Sequence, residues 1–249
     1  MSKVLSFVQK HAVNISLGVT YLALVCITLL AWSKPACLPW PDVSNQEPVT
    51  CYAKHTHVVQ TISEMTARTG LTAELLSAAA AASLIVVYGV LGYIREHKPV
   101  PRLPWRIVDA SYYVGALGFV GLTVWSLRVN GTVHTCFTAQ TIIAIFIQVT
   151  ALRLIVVGPM ISWLTFAWVL MLVSMVSYVS LIQIDAPDPV EEEYFKPKYY
   201  RHAYWQFVFF TVYFLQLAML ASRAAAPVMP TVDKMPTDGY RRVSSILRL

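Results

Sequence analysis

The sequence predicts an all-α fold, a polytopic transmembrane helical bundle of about six spans. Three observations carry that prediction. Of 249 residues, 57% are hydrophobic and 13% are charged, about half the charged share usual in a soluble domain. The apolar residues fall into blocks of about 20, the length a helix needs to cross roughly 30 Å of hydrocarbon. The blocks are also continuous, whereas a β-barrel alternates apolar and polar residues over strands of about ten. The net charge of +6 sits in short loops beside the spans, where orientation explains it without a nucleic-acid partner.

The first span is expected over about residues 12–32. Lys3 and Lys10 resemble the basic start of a signal peptide. The apolar segment of about 20 residues, however, exceeds the usual 7–15, and no Ala-x-Ala site follows. A retained span is the preferred reading. Cys26 falls mid-span and is expected to pack as a small residue.

An outer loop, residues 33–73, comes next. Cys37 and Cys51 bracket a proline-rich stretch, "CLPWPDVSNQEPVTC". A disulfide closing a loop of that size would contribute roughly 3 kcal/mol in the chain-entropy account. Cys136 is expected on the same side, so three single pairings are open, and Cys37–Cys51 leads by proximity. Val58, Ile62, Met65 and Thr69 recur at helical spacing and suggest an amphipathic surface helix. His55, His57 and His134 read as solvated loop residues. No metal-ligand spacing supports a metal site.

The second span, about 75–94, carries a small-residue run from Ser77 to Ser83 and the pair Gly89 and Gly92. Small residues permit close helix approach. The third span is expected over 110–127. Asn130-Gly131-Thr132 then forms a glycosylation sequon on the outer side. A second match, Asn14-Ile15-Ser16, lies at the inner edge of a span.

The fourth and fifth spans, 138–157 and 160–184, form one apolar block. An unbroken helix over its more than forty residues would run roughly 65 Å at 1.5 Å per residue. Gly158-Pro159 is the strong breaker pair within it, so a tight helical hairpin is expected. Arg153 lies near the end of the fourth span, roughly 7 Å from the interface at the same rise, within snorkelling reach. Asp109 sits at similar depth, and an Arg153–Asp109 pair is the expected arrangement. An anion or voltage site is the functional alternative for Arg153. Ser174 and Ser177 add small polar groups to the fifth span.

The acidic loop "DAPDPVEEEYFKPKYYRHAYW" leads into the sixth span, about 203–222. Tyr199, Tyr200, Tyr204 and Trp205 read as interfacial anchors. Gln206, Tyr213 and Gln216 share one face of this span. Thr141, Ala144, Gln148 and Ala151 share one face of the fourth. Intramembrane amides need partners, so Gln148 and Gln216 are expected to hydrogen-bond to neighbouring helices. The bundle is taken as one domain, residues 1–225. The basic tail, 226–249, contains Arg241-Arg242-Val243-Ser244. That motif suits phosphorylation at Ser244, or the tail simply attracts anionic headgroups.

Loop charge sets the orientation. The side holding both termini carries 11 Lys/Arg against 7 on the other, which predicts both termini in the cytoplasm of a plasma-membrane or endomembrane protein. No P-loop, dinucleotide fingerprint, zincin motif or intramembrane haem ligand is legible. No cofactor, metal or catalytic site is expected. The function expected is a non-catalytic membrane subunit of a larger assembly. Its partners would be the bilayer and other membrane chains, in a homo- or hetero-oligomer. The alternative is a channel or facilitator for ions or small solutes, lined by the polar stripes.

Overall fold

The computed structural model describes residues 2–32, 71–98, 102–124, 131–158, 162–185 and 201–226. All regular structure among them is helical: α1 (Ser2–Trp32), α2 (Leu71–His97), α3 (Arg102–Val124), α4 (Gly131–Val156), α5 (Trp163–Asp185) and α6 (Arg201–Ala224). Each of these 6 helices is long and apolar enough to cross a membrane.

Three helices begin well before the apolar spans. α1 starts at Ser2 rather than near 12. α3 starts at Arg102 rather than near 110. Pro104 falls in its first turn, where the backbone N–H groups have no intrahelical partner to lose. Charged Arg106 and Asp109 therefore belong to the helix. α4 starts at Gly131, so His134 and Cys136 lie on its first turns rather than in a loop. His134 is buried, and Cys136 is an exposed free thiol.

The long apolar block breaks where expected. Gly158 has a φ of 71°, a left-handed conformation that glycine adopts without penalty. Its N–H donates to the Leu154 carbonyl at 3.1 Å and ends α4. The next helix opens on a reciprocal cap. The Thr165 N–H donates to the Ser162 carbonyl at 2.8 Å, while the Ser162 N–H donates to Thr165 Oγ1 at 3.1 Å.

The helices associate as three pairs, α1 with α2, α3 with α4 and α5 with α6. The closest approach is on α3. A Cβ built on Gly118 would lie 2.5 Å from Thr141 Oγ1 and 3.2 Å from the Phe137 carbonyl oxygen of α4. On Gly121 it would meet the Phe137 ring at 2.5 Å, and on Gly115 it would touch Ala144 at 3.4 Å. This glycine face, at every third residue, lets the two backbones meet. Several of the small residues expected to do so on α2 do not. Ala81, Ala82, Gly89 and Gly92 face outward, and nothing lies within 4 Å of a Cβ built on either glycine. Cys26 is likewise exposed rather than packed.

α6 joins the pairs, touching α1, α2, α4 and α5. Phe209, Leu217 and Leu220 on it are fully buried, together with Ile94 of α2, Leu152 of α4 and Met171 of α5. Asn14 Nδ2 donates to Ser222 Oγ at 3.3 Å, so the start of α1 and the end of α6 lie at one end of the bundle.

Substituting Gly118→Ala should destabilise the protein by about 1–3 kcal/mol through overpacking. Gly92→Ala, in open space, should be neutral or stabilising by up to about 1 kcal/mol, because alanine is the better helix former. Unfolding of both variants in mixed micelles checks the contrast. Equal effects would contradict the assigned α3–α4 contact.

Candidate functional site

The polar residues of α4 and α6 meet inside the bundle. Tyr213 Oη donates to Gln148 Oε1 at 3.0 Å. Both side chains are buried, Gln148 being 2% exposed. Gln206 Nε2 donates to Tyr178 Oη of α5 at 3.3 Å. Gln216 Nε2 donates to the sulfur of Met171 at 3.6 Å, a weak acceptor, and its Oε1 has no partner among the described residues. The expected pairing of Gln148 and Gln216 across helices therefore holds. The partners, Tyr213 and Met171, were not evident from the sequence.

Hydroxyls around this seam are mostly turned back on their own helices. Thr141 donates to the Phe137 carbonyl at 2.8 Å, Thr138 to His134 at 3.0 Å and Ser174 to Leu170 at 2.6 Å. Such internal bonds satisfy the hydroxyl without a neighbouring helix. Two others link helices: Tyr112 Oη of α3 donates to the Leu84 carbonyl of α2 at 2.9 Å, and the Tyr21 and Thr211 hydroxyls are 2.9 Å apart.

Between α1, α2, α3, α4 and α6 lies a cavity of about 310 Å³. It runs from the Gln148–Tyr213 pair, near the middle of those helices, toward Thr28 of α1, Thr138 of α4 and Gln206 of α6. Its wall is mostly hydrocarbon and aromatic ring, including Phe119, Phe207, Phe210 and Phe214, and among the described residues no charged side chain or histidine lines it. Sparse contact between α2 and α3 makes that seam its weakest boundary.

No protein family, curated protein or solved structure matches this chain. Its chemistry must be read from the geometry alone.

The Arg153–Asp109 pair expected from the sequence is not the arrangement found. Asp109 pairs with Arg95 of α2, whose guanidinium also lies 4.7 Å from the Trp105 ring centre. Arg153 instead donates from Nη2 to Thr165 Oγ1 at 2.6 Å, the hydroxyl that caps α5. Helix register accounts for the difference. The contacts of Gly115 with Ala144, Gly118 with Thr141 and Gly121 with Phe137 run antiparallel. Continued downward, that register sets Arg153 level with Arg106, beyond Asp109. Arg153 thus pins the α4–α5 hairpin, helped by Trp168 Nε1, which donates to Thr150 Oγ1 at 2.8 Å. A cation in the last turn of a helix also suits the helix dipole.

Cys37, Cys51, His55, His57, Asn130 and Ser244 lie outside the described residues, as do the amphipathic stretch, residues 186–200 of the acidic loop and residues 227–249 of the tail. Among the described residues no group of three or more His, Cys, Asp and Glu is placed to hold a metal.

Removing the buried tyrosine hydroxyl with Tyr213→Phe leaves the Gln148 amide without its partner. Gln148→Leu does the converse. Each change should cost about 1–3 kcal/mol, the penalty for a buried unsatisfied polar group. The double variant should cost clearly less than the sum. A double-mutant cycle in micelles measures this coupling, and strict additivity would show the two groups to be independent.

Proposed function

We propose that the chain is a non-catalytic integral membrane subunit, embedded in the bilayer and docked through α2 onto the helix of another membrane chain. The supporting observation is the outward face of α2. Ala78, Ala81, Ala82, Gly89 and Gly92 all point away from the bundle, with Ile85 and Tyr88 between them. Lipid contact needs no small residues. A partner helix gains from them, because van der Waals packing at close range drives association in a membrane. The excess of Lys and Arg on the side of the termini supports placing both ends in the cytoplasm of a plasma membrane or endomembrane.

The polar stripes supply a second reading, a solute facilitator, because Gln148, Thr141 and Gln206 border a cavity. What weighs against it is the wall. An apolar cavity stays dry, and Gln148 and Gln206 already bond to neighbouring helices.

The double change Ala82→Leu with Gly89→Leu should leave the fold intact, since both sites face outward. It should shift the tagged chain, extracted from its native membrane, from a larger complex to its own mass in native mass spectrometry. An unchanged complex would overturn the assignment of α2. A tag fused after Leu249 should resist protease added outside intact cells, and digestion there would reverse the orientation.

A further inference from the structure

We infer that the cavity beneath α2 and α3 is a binding site for an uncharged amphiphile of the lipid phase, with an apolar body and one hydrogen-bonding oxygen. Its size, about 310 Å³, lies at the lower end of the roughly 300–1,000 Å³ typical of ligand pockets. Its position is within the span, extending from the mid-level of the bundle toward one face. Molecules dissolved in the bilayer therefore reach it more directly than aqueous solutes do.

The wall selects the chemistry. Among the described residues no lining side chain carries a charge, so an ion or a charged headgroup would lose its hydration and find no counter-charge there, a large cost in a low-dielectric site. Apolar chains and rings lose nothing there and gain dispersion contact with Phe119, Phe207, Phe210 and Phe214.

The polar floor selects the oxygen. Gln148 is 2% exposed and lines the cavity. Its Oε1 is taken by Tyr213, while its Nε2 makes no hydrogen bond among the described residues and is not sealed off. An amide has two ends, and whichever way it is turned one of them stays free beside Tyr213. A buried amide group without a partner is costly. A hydroxyl or carbonyl oxygen entering the cavity would satisfy it. The α2–α3 seam gives the route, because contact between these helices is sparse. The Tyr112–Leu84 hydrogen bond and the tilted Tyr88–Tyr112 ring pair at 5.5 Å are the contacts an entering molecule must part.

Two sources share this chemistry, a sterol and a straight-chain alcohol or ester. The full-length chain in phosphatidylcholine nanodiscs separates them with photoactivatable cholesterol and photoactivatable octadecanol as probes. The expected result is saturable labelling by one of the two, mapped by peptide sequencing to cavity residues such as Phe119, Ile142 or Phe210, with the labelled probe naming the source. Ala116→Phe, which fills the cavity from α3, should reduce that labelling at least tenfold. Gln148→Leu should weaken it severalfold while keeping the apolar volume. Octadecyl-trimethylammonium should fail to compete. Labelling spread over outward residues such as Ile85, Leu117 and Phe166, and unchanged by Ala116→Phe, would overturn the proposal. So would equal competition by the cationic amphiphile. Circular dichroism and unfolding of both variants distinguish lost binding from lost fold. If Gln148→Leu does not fold, Ala116→Phe alone decides.

Discussion

One turn of α6, from Thr211 to Tyr213, holds the three helix pairs together. Tyr213 reaches Gln148 of α4, and Thr211 meets Tyr21 of α1. The same helix packs along α5 and places Gln216 against Met171. In lipid, the hydrophobic effect no longer drives helix against helix, because acyl chains are as apolar as leucine. What remains is close packing and the cost of leaving a polar group unpaired. Here these forces are divided between locations. Glycines bring α3 against α4, and buried amides fix how that pair meets α6.

Much of the architecture is legible in the sequence because the bilayer imposes it. Every backbone group in hydrocarbon must be bonded within its own helix, so span number and the Gly158 break follow from apolar length and one flexible residue. Helix starts are less legible. Arg102, Arg106 and Asp109 look like loop residues, yet a helix continues past the apolar core wherever its charged side chains can reach water or one another. The Arg95–Asp109 pair and the Trp105 ring give those charges a place.

Interhelical contacts were the least legible part. Gly115, Gly118 and Gly121 recur at every third position and carry a signal of their own. The run from Ser77 to Ser83 carries a similar signal, yet its Ala78, Ala81 and Ala82 face outward. Small residues mark a surface fit for close approach without saying which helix approaches it. Arg153 shows the same limit. Depth alone made Asp109 its partner, whereas register along α3 and α4 moved it to Thr165. The Gln148 amide was identifiable as a polar group in need of a partner. Its tyrosine lies 65 positions away, and only folding brings them together.

The link between Asn14 and Ser222 bears on how the bundle is made. Spans leave the ribosome in order, so α1 must wait in the bilayer until α6 arrives before that end can close. During this interval α1 and α2 lean mainly on each other, and the gap reserved for α6 stands open to lipid. A premature stop before α6 would therefore yield more than a shorter protein. It would leave five helices deprived of their common post, with buried amides facing acyl chains, a state that membrane quality control is built to detect.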